Sequence, residues 1–129
     1  MTGDLLDTSI LIATDPASLL GLPASAAISV VSLGELHAGV KLAEGRASET
    51  PRWARLAAVR SAFAPLPVDE AVAERYGDVL AVARSERRTA KATDLLIIAT
   101  AAAHSRTLHT RDERQASLAR AAGVPVHIV

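Results

Sequence analysis

Short apolar runs alternate with longer amphipathic patterns along these 129 residues, and this alternation constrains the possible folds more than any other feature. The runs are only a few residues long and are bounded by turn residues, as strands are, whereas the longer segments repeat apolar residues at helical spacing. Strands that alternate with helices are typical of a parallel sheet with helices packed on it. Half of the residues are hydrophobic, enough to fill the core of a single domain over residues 1–129. We therefore predict an α/β fold.

The pattern predicts five strands, over residues 5–7, 26–29, 66–68, 107–110 and 126–129. It predicts helices over residues 9–13, 31–43, 50–63, 69–87, 94–105 and 112–122. A turn is expected at Asp15-Pro16, and Pro65 and Pro67 are expected to confine the third strand because proline has no N–H for a sheet ladder. The residues expected to begin or end helices are Thr8 or Ser9, Gly45, Thr50 with Pro51, Asp69 and Gly123.

Four carboxylates stand where these apolar segments break. Asp7 and Asp112 follow predicted strands, whereas Glu35 and Asp94 lie near the beginnings of predicted helices. A buried carboxylate is costly unless it is paired or binds a metal, and no Lys or Arg recurs beside all four. Ligands of open parallel sheets gather at the carboxyl ends of the strands. A divalent cation held at that edge is therefore the economical explanation.

Helix capping is the alternative explanation for these acids. Ser32 with Glu35, and Asp112 with Gln115, have the spacing of capping boxes, in which side chains satisfy the free amides at a helix start. Asp94 fits this explanation less well, because it shares a helix face with apolar residues that should be buried. Four separate caps on four inward faces are a less economical explanation than one common site.

Composition excludes several other classes. The absence of cysteine excludes disulfides and thiol catalysis, and the formal net charge of zero excludes a uniformly basic surface. The four histidines lack the HExxH spacing of a zinc site, and the chain contains no Walker A or G-x-G-x-x-G motif. No apolar run is long enough to cross a bilayer, and no leader pattern opens the chain, so we expect a soluble cytoplasmic protein without membrane contact.

Four segments in order resemble PIN-domain ribonucleases, and within that family the VapC-type toxins of bacterial type II toxin–antitoxin pairs. They are LDTSILI over residues 6–12, VSLGEL over 31–36, TDLLIIATA over 93–101 and TLHTRD over 107–112. The resemblance implies a three-layer α/β/α sandwich around a parallel five-stranded sheet. It also implies a metal-dependent endoribonuclease that hydrolyses RNA phosphodiester bonds with metal-activated water.

The resemblance implies that Asp7, Glu35, Asp94 and Asp112 are the catalytic acids around Mg²⁺ or Mn²⁺. We expect Asp7 and Asp94 to bind the metal directly, while Glu35 and Asp112 bind a second ion, hold metal-bound water or orient the attacking water. The hydroxyl groups expected to support these acids belong to Thr8, Ser9 and Thr110. The family often has a further acid shortly after the fourth motif, where this chain has Gln115-Ala116, and this leaves the second metal open.

The expected partners are RNA, a VapB-type antitoxin and a second copy of the chain. Phosphate contacts need basic side chains near the acids, and the candidates are Arg84, Arg87, Arg88, Lys91, Arg111 and Arg114. Trp53 and Leu56 are expected to line an antitoxin groove between the helices over residues 31–43 and 50–63, unless they fill the protein's own core.

Other functional classes fit the residues less well. A phosphoacceptor receiver domain has adjacent acids after its first strand and a late lysine, and a haloacid-dehalogenase-type phosphatase has a second Asp where Ser9 stands. A PIN scaffold used only as a binding module, with the acids intact but without turnover, remains the alternative to the enzyme.

Overall fold

A five-stranded parallel sheet forms the centre of the protein, whose computed structural model describes residues 3–129. The strands lie in the order β3-β2-β1-β4-β5, and every neighbouring pair is parallel. Their bounds are β1 Asp4–Leu6, β2 Ala27–Ser29, β3 Ala64–Leu66, β4 Thr107–Thr110 and β5 Val126–Ile128. The predicted α/β class and the parallel five-stranded sheet are thus confirmed.

Seven helices among the described residues cover the two faces of this sheet. The helices are α1 Thr8–Ala13, α2 Pro16–Leu19, α3 Val30–Lys41, α4 Arg46–Ala62, α5 Glu70–Ser85, α6 Ala92–Ala103 and α7 Glu113–Ala121. The first four contribute buried side chains to one core cluster, and the last three contribute them to the other. The protein therefore has the α/β/α layering that the resemblance implied.

Adjacent residues of the central strand serve opposite faces of the sheet. Leu5 belongs to the cluster under α5, α6 and α7, whereas Leu6 belongs to the cluster under the first four helices. Ala27 and Ile28 divide in the same way on β2. Side chains alternate across a strand, so a strand covered on both faces must be apolar at successive positions. This requirement explains the unbroken apolar runs in the sequence.

The third strand and the fourth helix begin earlier than predicted. Strand β3 includes Pro65, which pairs in register with Ile28, because β3 lies at an edge of the sheet where one missing N–H is tolerated. Helix α4 begins at Arg46, one turn before the predicted start, and holds Pro51 inside it. Gly45, predicted to end the preceding helix, is the N-cap of α4 with φ of 85°.

Two expectations about the first turns of the chain were also wrong. Neither Thr8 nor Ser9 caps α1, since the N-cap position is Asp7 and no side chain caps the helix there. The predicted turn at Asp15-Pro16 opens the short helix α2, in which the Asp15 side chain accepts a hydrogen bond from the Ser18 amide. The helix cap predicted at Asp69 and the helix stop predicted at Gly123 are both confirmed.

The strand order fixes where a ligand can bind. The chain proceeds from β1 to β2 and β3 on one side, and then crosses to β4 and β5 on the other. In open parallel sheets this reversal leaves a crevice outside the carboxyl ends of the two central strands. Asp7 follows β1 and Thr110 ends β4, so both border that crevice.

Leu108→Ala tests whether β4 is an interior strand of the sheet. Leu108 is completely buried on a strand with neighbours on both sides, so the substitution should lower the free energy of unfolding by about 3 kcal/mol through lost burial and a cavity. Chemical denaturation measures the loss. Ile12→Ala, at a position that is 56% exposed, is the control and should change stability little. Equal losses for the two variants would contradict the placement of Leu108.

Candidate active site

A buried carboxylate follows the central strand. Asp7 is 4% exposed, and its Oδ2 accepts hydrogen bonds from Ser9 Oγ and Thr110 Oγ1, each at 2.7 Å. Both hydroxyl groups are themselves oriented, because Ser9 Oγ accepts the Arg111 amide and Thr110 Oγ1 accepts the Asp112 amide, each at 3.0 Å. The turn after β4 therefore directs two hydroxyl hydrogens at one oxygen of Asp7.

A second hydroxyl chain reaches Glu35 on α3. Thr8 Oγ1 donates to Glu35 Oε1 at 2.8 Å and lies 2.8 Å from Ser32 Oγ. A threonine hydroxyl has a single hydrogen, so Ser32 must be the donor to Thr8 when Thr8 donates to Glu35. The chain of donation runs from Ser32 through Thr8 to the carboxylate and orients it. Ser32 is buried, and the sequence analysis considered it only as a helix cap.

The capping box considered for Ser32 and Glu35 is wrong. Helix α3 begins at Val30, and its N-cap is Ser29, whose Oγ accepts the Val31 amide at 3.1 Å. Ser32 is therefore already inside the helix. The serine at the end of β2 is the residue that capping preferences should have identified.

The capping explanation holds in part for Asp112. Its Oδ1 accepts the amides of Arg114 and Gln115 at 2.9 and 3.2 Å, so Asp112 is the N-cap of α7. Gln115 does not complete the box, because its side-chain Nε2 donates to the backbone carbonyl of Asp94 at 3.0 Å. This buried amide ties α7 to α6, a role that the sequence analysis missed although Gln115 lies one turn after a cap.

Asp94 links the four predicted acids electrostatically. It lies in the first turn of α6, and burial raises the pKa of its carboxyl above the ordinary value of 3.8. The negative charges of Asp7, Glu35 and Asp112, in that order, raise this pKa further, while Lys91 lowers it. Three carboxylates from separate parts of the chain thus act on the carboxyl group of Asp94.

The principal cleft lies over two of these acids. Its volume is about 730 Å³, and its polar lining contains acidic, basic and neutral side chains: Arg88, Thr89, Lys91, Asp94, Asp112, Glu113, Arg114, Gln115 and Ser117. Glu35 instead lines a separate cleft of about 290 Å³ with Ile12, Arg52 and Arg55. The four acids therefore do not line one common cleft, although Asp7, Glu35 and Asp112 interact electrostatically with Asp94.

The predicted phosphate-binding residues divide between two clefts. Arg88, Lys91 and Arg114 line the principal cleft beside the acids. Arg84 and Arg87 line an adjoining cleft of about 520 Å³, which Arg88 also borders. Arg111 is exposed but lines neither cleft.

The two residues expected to meet an antitoxin differ in exposure. Leu56 is 3% exposed and belongs to the protein's own core cluster, so its side chain is not available to a partner. Trp53 is 42% exposed, lies edge-on to His37 and donates from Nε1 to Glu49 at 3.2 Å. Lys41 Nζ lies 5.7 Å from its ring centroid. Of the two residues, only Trp53 is therefore exposed on the surface.

The donor set fits a divalent cation held by few protein ligands. Within residues 3–129, no three His, Asp or Glu side chains come close enough together to form a metal cage. Mg²⁺ does not need one, since it typically binds one or two carboxylates and completes its shell with water and phosphate oxygens. A cation at Asp94 would also offset the negative charges that raise the pKa of this group.

Comparison with known proteins identifies the family. A family model described as PIN domain matches residues 5–121. The chain belongs to the PIN-domain family. This PIN domain is 40% identical over 100 residues to Ribonuclease VapC8 of Mycobacterium tuberculosis, covering 75% of this chain and 88% of the relative. The predicted resemblance is confirmed.

Solved structures agree with this assignment. A VapBC-5 structure of the VapBC toxin–antitoxin family from Mycobacterium tuberculosis matches with a TM-score of 0.85 and 32% identity, covering 100% of both chains. FitAcB from Neisseria gonorrhoeae matches with a TM-score of 0.75 and 31% identity, covering 95% of this chain and 94% of that one. Within residues 3–129, none of the helices has the length and apolarity needed to span a bilayer.

Asp94→Asn should stabilise the metal-free PIN domain at neutral pH. Because the folded state raises the pKa of Asp94, ionisation of the wild-type carboxyl is less favourable in the folded than in the unfolded chain. The free energy of unfolding of the wild type therefore decreases as pH rises from 3.8 through the raised pKa of the folded state. The variant has no carboxyl group at this position and does not show this decrease. Thermal unfolding in EDTA should show the variant melting higher at neutral pH and the difference shrinking toward acid.

Asp15→Ala is the control of opposite sign. Two hydrogen bonds from Ser18 lower the pKa of Asp15, so its carboxylate stabilises the fold at neutral pH. Removing it should lower the melting temperature there, with less effect as pH falls. If Asp94→Asn behaved like Asp15→Ala, the repulsion assigned to the four acids would be wrong.

Thr110→Val tests the hydroxyl that orients Asp7. The variant removes the donor to the buried carboxylate and the acceptor for the Asp112 amide, so it should cost about 2 kcal/mol in stability. Thr100→Val is the matched control, since Thr100 is equally buried but donates only to its own helix at Leu96 O. Chemical denaturation compares the two, and a larger loss in Thr100→Val would contradict this role for Thr110.

Proposed function

We propose that this PIN domain is a metal-dependent endoribonuclease that acts in the cytoplasm as the toxin of a toxin–antitoxin pair. The observation that carries the proposal is the convergence of three carboxylate charges, those of Asp7, Glu35 and Asp112, on Asp94, which lines a cleft together with three cationic side chains. The relatives named as ribonucleases support the substrate class, and the VapBC structures support an antitoxin partner.

Asp7 and Asp94 are the proposed metal ligands. Both hydrogen bonds from hydroxyl groups fall on Oδ2 of Asp7, which leaves Oδ1 better suited to a cation. Asp94 contributes a carboxylate at the cleft, and the charges around it favour a neighbouring cation. Mg²⁺ or Mn²⁺ bound here would lower the pKa of a bound water and offset charge on the scissile phosphate.

Glu35 and Asp112 are proposed to complete the catalytic set. Thr8 orients Glu35 through its hydroxyl, so the carboxylate is held in position to accept a hydrogen bond from the attacking water. Asp112 uses Oδ1 to cap α7, and its other oxygen is the one available to water or a second ion. Neither role requires a nucleophile from the protein.

The basic side chains of the principal cleft are proposed to bind RNA phosphates. Arg88 is held in place by Glu86, with Nε to Oε1 at 2.8 Å, and by Ser117, which accepts from Nη1 at 2.8 Å. Lys91 and Arg114 complete this group, and Arg111 is proposed to contact the substrate outside the cleft. Phosphate contacts of this kind supply affinity with little dependence on base sequence.

Cleavage of a mixed pool of structured RNAs tests the enzyme. Metal-dependent cleavage should occur with Mg²⁺ or Mn²⁺, stop in EDTA, and fall by about 10³-fold or more in Asp7→Asn and Asp94→Asn, because the ligand set is broken. Asp78→Asn, an exposed acid on α5, is the control and should cleave normally. Equal cleavage by Asp94→Asn would overturn the site. Metal binding without cleavage of any RNA would favour the alternative of a PIN scaffold that only binds.

Trp53→Ala tests the proposed antitoxin surface. Exposed aromatic anchors often dominate protein interfaces, so the variant should weaken binding of the cognate VapB-type antitoxin about tenfold or more. Val68→Ala is the control, because Val68 has the same 42% exposure and lies after β3. Calorimetric titration gives both affinities, and equal affinities would remove Trp53 from the interface.

We also propose a homodimer, which light scattering of the purified toxin will test.

A further inference from the structure

Asp94 differs from the other three acids in how its carboxylate is held. Hydroxyl groups donate hydrogen bonds to Asp7 and Glu35, and two backbone amides donate to Asp112. Among residues 3–129, none donates a hydrogen bond to the carboxylate of Asp94, on which only burial and neighbouring charges act. The position of this carboxylate therefore depends on the backbone that carries it.

The first turn of α6, which contains Asp94, has no side-chain cap. Its N-cap residue is Lys91, whose side chain makes no capping hydrogen bond. Helices α3, α5 and α7, in contrast, are each capped by a serine or aspartate side chain. An uncapped helix start leaves amides without partners and holds its first residues less firmly. A contact from another element therefore has a large effect on where Asp94 lies.

Gln115 on α7 supplies that contact. Its Nε2 donates to the backbone carbonyl of Asp94 at 3.0 Å. Inside a helix this carbonyl also accepts the amide four residues further on, and its two lone pairs allow both bonds. The bond from Gln115 is thus additional to those that form the helix, and it fixes the first turn of α6 against α7.

The chemistry of this side chain is unusual for its surroundings. Gln115 is 4% exposed, and its neighbour Ala116 is completely buried. A buried amide is costly unless it forms hydrogen bonds, whereas an apolar side chain of similar length would fill the same space without that cost. The hydrogen bond to Asp94 is therefore what glutamine adds at this position.

The segment from Thr110 to Gln115 holds both proposed metal ligands. Thr110 donates to the carboxylate of Asp7 at 2.7 Å, and Gln115 donates to the backbone of Asp94. Asp112, between them, fixes the start of α7 by accepting two amides. The relative position of Asp7 and Asp94 therefore depends on one short stretch of chain that contacts each of them.

We propose that Gln115 is a positioning residue that sets the place of the Asp94 carboxylate at the proposed cation site. The proposal rests on the ribonuclease function proposed above and deepens it. Gln115 acts through the backbone of Asp94 and contributes no ligand itself. Loss of its hydrogen bond would let the first turn of α6 move relative to Asp7, so that the two carboxylates would fit a single cation less well.

Gln115→Met tests this role, because methionine has a similar length but no hydrogen-bond donor. Calorimetric titration of the metal-free protein with Mn²⁺ should show about tenfold weaker binding or more, the range typical of residues that orient metal ligands. Gln115→Asn keeps the amide but shortens the side chain by one methylene, so it should weaken Mn²⁺ binding as well. Wild-type Mn²⁺ affinity in both variants would overturn the proposal.

Thr100→Val is the matched control, since Thr100 is buried on the same helix and donates to a backbone carbonyl, that of Leu96. Its Mn²⁺ affinity should equal that of the wild type. Melting temperatures in EDTA compare the stability of the variants, and Mn²⁺ should raise the melting temperature less in Gln115→Met than in Thr100→Val. An equal loss of Mn²⁺ affinity in Thr100→Val would overturn the specific role of Gln115.

Kinetics on one RNA that the wild type cleaves separate positioning from substrate binding. At a Mn²⁺ concentration equal to the wild-type Kd, tenfold weaker binding lowers occupancy from one half to about one tenth, so kcat of Gln115→Met should fall about fivefold. KM for the RNA should stay unchanged, because the basic side chains of the cleft are intact. A higher KM with unchanged kcat would overturn the proposal.

The Mn²⁺ titration distinguishes failure of this inference from failure of the nuclease, because it contains no RNA. Equal Mn²⁺ affinity in wild type, Gln115→Met and Gln115→Asn would contradict the role of Gln115 while metal-dependent cleavage still stood. Weaker Mn²⁺ binding by Gln115→Met, with no RNA cleaved by any of the proteins, would support the role of Gln115 and contradict the nuclease.

Discussion

A carboxylate buried at the end of the central strand must receive hydrogen bonds, and the fold provides them from two directions. Asp7 accepts one hydroxyl from the helix that follows it and another from the end of β4, which is far away in sequence. The same hydroxyl groups accept backbone amides of the turn after β4. One acidic side chain therefore couples β1, α1, β4 and the start of α7, and it fixes the geometry of the crevice at the reversal of the strand order.

The remaining acids are held by different means, and the differences favour different roles. Glu35 is oriented through Thr8, and Asp112 is committed in part to its helix. Asp94 has its backbone carbonyl held by Gln115, and its side chain feels the charge of the other three acids. Mutual repulsion among carboxylates destabilises a metal-free site, and a bound cation would offset this repulsion. The arginines and the lysine that line the principal cleft would match the phosphates of the proposed RNA substrate.

Sequence reasoning predicted what depends on periodicity and on strand ends. The five strands follow from apolar runs that stop at polar residues, whereas the three-layer arrangement was implied by the family resemblance. It failed where tertiary context decided: Pro65 is tolerated because β3 lies at an edge of the sheet. Pro51, predicted to open α4, lies inside that helix, which begins at Arg46. Leu56 could not be assigned to surface or core without knowing which helix face meets the sheet. The roles of Ser32 and Gln115 depend on contacts between elements, which spacing alone does not specify.

Titration of the metal-free protein with Mn²⁺ by calorimetry is the most direct test of the central claim, that the four acids form one site that binds a divalent cation. The account predicts saturable binding by the wild type and loss of that binding in Asp94→Asn, with Asp78→Asn as a control that binds normally. It also predicts that Mn²⁺ raises the melting temperature of the wild type and not that of Asp94→Asn. Equal Mn²⁺ affinity in wild type and Asp94→Asn would contradict the account.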